Sequence, residues 1–154
     1  MENKSYVMWN NKGGVGKSTI TFHIASVYAE NNPDIDVIVV DMCPQANSSS
    51  MLMGGGKISE IELQKLLTQD EPRSIVGYIT KATLKGDADI GQYITKLNNY
   101  NSNLTDNMYL ISGDGNLELI APLLSARANA IPLSSEDNPW TEIHSIIKKL
   151  TKKD

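Results

Sequence analysis

Residues 4–19 of the chain read Lys4-Ser5-Tyr6-Val7-Met8-Trp9-Asn10-Asn11-Lys12-Gly13-Gly14-Val15-Gly16-Lys17-Ser18-Thr19. The partly apolar run over residues 4–10 ends in a glycine-rich turn, which predicts a strand. Beyond the turn, Ile20, Ile24, Val27 and Tyr28 recur at i, i+4, i+7 and i+8, the apolar stripe of a helix. Asn31, Asn32 and Pro33 stop that helix. The unbroken β-branched run from Val37 to Val40, ending at Asp41, predicts a strand buried on both faces of a parallel sheet. Strand, glycine loop, helix and strand form a βαβ unit.

The glycine loop carries the chemistry. Glycines admit backbone conformations that other residues resist, so successive N–H groups can turn inward around a phosphate. The helix that follows presents unsatisfied N–H groups and the positive end of its dipole to the same anion. Lys17 is placed to reach the outer phosphates, and the Ser18 hydroxyl to ligate Mg²⁺. Three fixed glycines arise by chance in roughly 3 of 10,000 windows at ordinary glycine usage. The adjoining lysine and serine lower that by about a further hundredfold. One position departs from the ordinary G-x-x-x-x-G-K-[ST] pattern: Asn11 stands where its first glycine belongs.

The extra lysine, Lys12, and the pair Gly13-Gly14 resemble the deviant Walker A loop of the ParA/MinD family of ATPases. The segment Asp41-Met42-Cys43-Pro44-Gln45-Ala46-Asn47 is similar to that family's D-x-D-P-Q-x-N element, and favours its ParA branch. A weaker likeness is Met108-Tyr109-Leu110-Ile111-Ser112-Gly113, similar to a strand that many ParA proteins carry. The resemblance implies a P-loop NTPase-like, three-layer α/β fold with a mostly parallel sheet, and ATP and Mg²⁺ as cofactors. It implies that Lys12, Gly13, Gly14, Val15, Gly16, Lys17, Ser18 and Thr19 bind the nucleotide. Lys12 matches the signature lysine that reaches the partner's ATP across a nucleotide sandwich dimer. Asp41 matches the carboxylate that supports Mg²⁺ through water; the residues alone also allow a turn or helix-cap carboxylate after a strand. Lys12, Lys17 and Asp41 are the catalytic candidates, Ser18 and Asp41 those for the metal. An ATP-dependent homodimer, a ParB-like partner protein and non-specific DNA are the partners implied.

Two departures bear on hydrolysis. The family's second acidic residue, which orients the attacking water, falls on Cys43, a poorer acceptor with no fixed charge. The sequence ends at Asp154, where the family would next place its Walker B strand, so the sheet is expected to be incomplete on its C-terminal side. A catalytically idle nucleotide-binding module is therefore the alternative to a working ATPase. An iron–sulfur reductase of the nitrogenase iron-protein type shares the loop but needs more cysteines than Cys43 alone.

Elsewhere the reading is coarser. Helices are expected over 59–69, with Ser59 and Glu62 spaced as a capping box, and over 73–84, interrupted by Gly77. Residues 85–107 read as loop with a short helix over 90–97, residues 108–112 as a strand, and residues 116–127 as a helix. Asn138 and Pro139 open a last helix with Ile143, Ile146, Ile147 and Leu150 on one face. Lys148, Lys149, Lys152 and Lys153 suit either the C-terminus of that helix or a nucleic-acid contact. His23 and His144 lack ligand-spaced partners, and Asn47-Ser48-Ser49 is a glycosylation triplet by pattern only.

The chain has 154 residues, 40% apolar and 21% charged, which suits one globular domain over 1–154 and not a disordered chain. A net charge of −4 argues against a protein that coats nucleic acid with its whole surface. A lone cysteine makes no internal disulfide. With no apolar run near the ~20 residues of a membrane span and no signal-type stretch, a cytoplasmic protein with no membrane contact is expected.

Overall fold

The computed structural model describes residues 4–85 and 88–122. Its elements are α1 (Lys17–Asn31), β1 (Val37–Val40), α2 (Asn47–Leu52), α3 (Gly56–Leu67), α4 (Ile75–Lys85), β2 (Thr95–Lys96) and β3 (Met108–Ile111). Single 3₁₀ turns at Ile90–Tyr93 and Leu97–Asn99 flank β2, and residues 117–122 are helical. The sheet runs β1-β3-β2. β1 and β3 are parallel, with Val37 opposite Met108 and Val40 opposite Ile111. β2 is antiparallel to β3. The sheet is thus mixed, small and only partly parallel.

Alternation along the strands divides the core in two. Val37, Val39, Met108 and Leu110 join one cluster with Ala25 and Ala29 of α1, Leu52 of α2 and Leu63 and Leu66 of α3. Val40 and Ile111 join the other with Ile75 and Ile79 of α4, Tyr93 and Leu117. Helices therefore cover both faces, as an α/β layer arrangement requires.

Four expectations are corrected, the fourth at Gly77 of α4. Residues 4–10 form no strand and are exposed throughout; Trp9 is 80% accessible. A strand needs a ladder partner, and among the described residues β1 pairs with β3 alone. A short apolar run carries no periodicity that could have identified a partner. The βαβ unit therefore lacks its first strand, and the parallel neighbour of β1 is β3. The second correction concerns α1: Ile20, Ile24, Val27 and Tyr28 face solvent, while Ala25 and Ala29 are buried. Small side chains on that face let α1 lie close against α2 and β1. Third, α3 starts at Gly56 after a Gly55 N-cap, and the Ser59 hydroxyl donates to the Gly56 carbonyl at 2.8 Å instead of forming a capping box.

The helix read over 73–84 is α4. Its end is capped by Ser74, whose Oγ accepts from the Gly77 N–H at 3.1 Å. Gly77 does not interrupt it: a Cβ there would lie 1.9 Å from the Pro72 carbonyl oxygen, so glycine is what lets the turn pass. The start of the 116–127 helix is observed at residue 117, with the Asn116 N–H on Asp114 Oδ1 at 2.9 Å. The last helix, with Ile143, Ile146, Ile147 and Leu150 and the terminal lysines, lies outside the described residues.

One side chain ties the first helix to the sheet. Asn107, just before β3, directs its Nδ2 at the carbonyls of Ala29, Asn32 and Ile35, at 3.1, 3.0 and 2.8 Å. The exit of α1 and the approach to β1 are thereby fixed to the β3 end.

Candidate functional site

The loop before α1 is built by two glycines. Gly14 and Gly16 have φ of +70° and +82°, the left-handed region where a Cβ is costly. Asn11 does not share it: Ala46 alone among the described non-glycine residues has positive φ. The loop therefore needs no glycine at position 11, which accounts for the departure from the ordinary motif. A Cβ on Gly13 would meet nothing within 4 Å, so this glycine leaves open space beside the backbone.

Gly16 is the N-cap of α1, and the first helical bond runs from Ile20 N–H to the Gly16 carbonyl at 2.8 Å. The N–H groups of Lys17, Ser18 and Thr19 are left without intrahelical acceptors. No acidic residue sits in the first turn. The end of the helix is a ready anion site. Lys17 Nζ donates to the Lys12 carbonyl at 3.0 Å, and Lys12 N–H to Asn10 Oδ1 at 2.9 Å, so the lysine and the preceding turn close the loop on itself. A cleft of about 200 Å³ beside Lys17 is lined by Met8, Trp9, Asn10, Val15 and Ile20.

Asp41 belongs to a second group, at the C-terminal end of β1. It is 4% exposed and accepts three hydrogen bonds. Oδ1 takes the Cys43 N–H at 3.1 Å; Oδ2 takes the Ser49 N–H at 2.9 Å and the Ser49 hydroxyl at 2.8 Å. Ser49 Oγ in turn accepts from the Gly113 N–H at 3.0 Å. Gly113 must be glycine, since a Cβ would lie 2.5 Å from the Cys43 carbonyl oxygen. Cys43 is half-buried and contributes backbone to this group.

The structure thus gathers Lys12, Gly13, Gly14, Val15, Gly16, Lys17, Ser18 and Thr19 in one loop and helix end. Asp41 stands apart, and no hydrogen bond joins the two groups among the described residues. They are connected through the packing of α1 on α2. Ser49 is the residue that sequence reading missed; its place in a glycosylation-like triplet gave no sign of a carboxylate eight positions earlier.

The donor set suits Mg²⁺. A hydroxyl at Ser18 in the loop group, an acceptor position on Asp41 Oδ1 in the second group and phosphate oxygens are each hard ligands by type. No cluster of three His, Cys, Asp or Glu side chains exists among the described residues, so any such ion relies on phosphate and water for most of its shell. No helix among the described residues is long and apolar enough to cross a membrane.

No curated protein and no solved structure is matched by the chain. A family model described as "AAA domain" matches residues 3–129, which takes in the phosphate loop, the Asp41 group and β3 together. The chain belongs to that AAA-domain family, a P-loop ATPase-like domain related to the ParA/MinD type.

Proposed function

We propose that the protein is a Mg-ATP-binding switch of the ParA branch, acting in plasmid or chromosome partition or in the positioning of another cargo in the cytoplasm. The observation that supports it most is the phosphate loop: left-handed Gly14 and Gly16, an uncapped α1 end and Lys17 at one place. Lys17 and the α1 N–H groups bind the phosphates, and Ser18 and Asp41 are the residues that would hold Mg²⁺. Mg²⁺ there would supply charge neutralisation at the phosphate oxygens. Lys12 is exposed, and in this reading reaches the nucleotide of a second copy. An ATP-dependent homodimer follows, reset by a ParB-like partner and engaging DNA without sequence preference. Calorimetric titration of ATP, with and without Mg²⁺, into wild type and Lys17→Ala tests the reading. Equal affinity in both would overturn it.

A second reading is favoured by Cys43. Where a carboxylate would orient water, this chain has a half-buried thiol whose backbone already serves Asp41. A nucleotide-binding module that does not hydrolyse ATP fits that substitution. Phosphate release separates the two.

A further inference from the structure

We infer that Ser49 is a positioning residue for the Asp41 carboxylate in the Mg-nucleotide site, an inference that rests on the function proposed above. The Ser49 hydroxyl has one hydrogen to give. The Gly113 N–H points at its oxygen at 3.0 Å, so the oxygen must accept there and the hydrogen goes to Asp41 Oδ2 at 2.8 Å. The Ser49 backbone N–H reaches the same oxygen at 2.9 Å. Oδ2 is then saturated, and the Cys43 N–H occupies one of two acceptor positions on Oδ1. One position on Oδ1 is left to take a metal-bound water. Both side chains are buried, Ser49 completely, so the geometry is not diluted by solvent.

Three separate pieces of chain converge to make this possible. Ala46, at φ +49°, is the N-cap of α2 and offers no side-chain oxygen, which leaves the Ser49 N–H for Asp41. Gly113 approaches within a distance no Cβ allows. The turn after β1 brings Cys43 N–H back onto the carboxylate. The left-handed region is costly for a residue with a Cβ. The arrangement thus keeps a strained residue at the place that aims the carboxylate.

A merely structural clasp would hold α2 to β1 and affect stability alone. A positioning role also sets how well Asp41 supports the ion, since partners of this kind typically change metal affinity by 10–100-fold. The test measures ATP affinity by calorimetry across a Mg²⁺ series and in excess chelator, with folding checked by circular dichroism, for wild type, Ser49→Ala, Ser49→Cys, Ser49→Thr and Asp41→Asn. Ser49→Ala should need about tenfold more Mg²⁺ to reach its half-maximal ATP affinity. In chelator its affinity should equal that of wild type. Ser49→Thr, which keeps the hydroxyl, should return to within about twofold of wild type, and Ser49→Cys, a weak donor of similar size, should fall between. If Ser49→Ala does not fold, the Cys and Thr variants carry the same comparison. A wild-type Mg²⁺ dependence in the Ala or Cys variant, beside a shifted Asp41→Asn, would overturn the role of Ser49. An unshifted Asp41→Asn would overturn it by removing Asp41 from the ion. Failure of wild type to bind ATP at any Mg²⁺ level would instead sink the proposed function itself.

Discussion

The ammonium of Lys17 lies 3.0 Å from the carbonyl oxygen of Lys12, five residues earlier, and so bridges the mouth of the phosphate loop. A nucleotide must take that ammonium from the carbonyl. The exchange trades a neutral acceptor for a charged one, which favours the phosphate. Lys17→Ala should lower Mg-ATP affinity by about 2–3 kcal/mol. Because the bridge is exposed, thermal stability should move by less than about 0.5 kcal/mol. Calorimetry and a melting curve check the two halves separately.

Lys12 is an exposed residue of the same loop. Two triphosphates facing each other repel, and a lysine crossing from each copy offsets that charge. Lys12→Ala should leave ADP binding by the monomer nearly unchanged and abolish an ATP-dependent dimer. Sedimentation giving the same dimer with ADP, or without Lys12, would exclude the sandwich.

Cys43 calls for a rate measurement. Water-positioning groups contribute roughly 10²–10⁴-fold, so wild type should bind ATP and release phosphate at near-background rate. Cys43→Asp should raise turnover if Cys43 is what limits it. Fast phosphate release by wild type would refute this account of the thiol.

Asn107 offers two N–H hydrogens to three carbonyl oxygens, and it is buried. Asn107→Asp would set a carboxylate against those same oxygens and should cost about 2–4 kcal/mol at neutral pH. The repulsion favours the protonated acid, so the folded-state pKa of the new group lies above its unfolded value of about 3.9. The deficit is therefore smallest below that value and grows as pH rises through the folded one. Urea unfolding of both proteins at acid and neutral pH reads the difference.

The Tyr93 hydroxyl is buried with no hydrogen-bond partner among the described residues, and burial raises its pKa above the ordinary phenol value. Its ring meets Tyr78 edge-on, with centroids 5.6 Å apart. Tyr93→Phe keeps the ring contact and removes the unpaired group, so stability should rise by up to about 1 kcal/mol. A loss of stability would show that the hydroxyl has found a partner.

What the sequence discloses follows from the range of the interactions involved. The phosphate loop is legible because its function lies in consecutive backbone groups, and Gly14, Gly16 and Lys17 act within one turn. β1 and β3 are legible because a buried β-branched run and a short strand before Gly113 leave few alternatives. The Ser49–Asp41–Gly113 contact is not, since it joins residues 64 positions apart through one hydroxyl. Nor could periodicity choose between the two faces of α1: the stripe of Ile20, Ile24 and Val27 is the more hydrophobic, and packing selected Ala25 and Ala29 instead. The run over residues 4–10 shows the same limit. Apolar composition proposes a strand, but only a ladder partner makes one.

The exposed indole of Trp9 beside the Lys17 cleft gives this protein an optical reporter of its own. An indole in water emits at long wavelength, and any ordering of the segment ahead of the phosphate loop would shift that emission toward the blue. The second tryptophan, Trp140, is removed by Trp140→Phe, leaving Trp9 as the single indole, beside the Lys17 cleft. Nucleotide binding at that cleft can then be followed in real time by stopped flow, without a label and independently of whether ATP is cleaved.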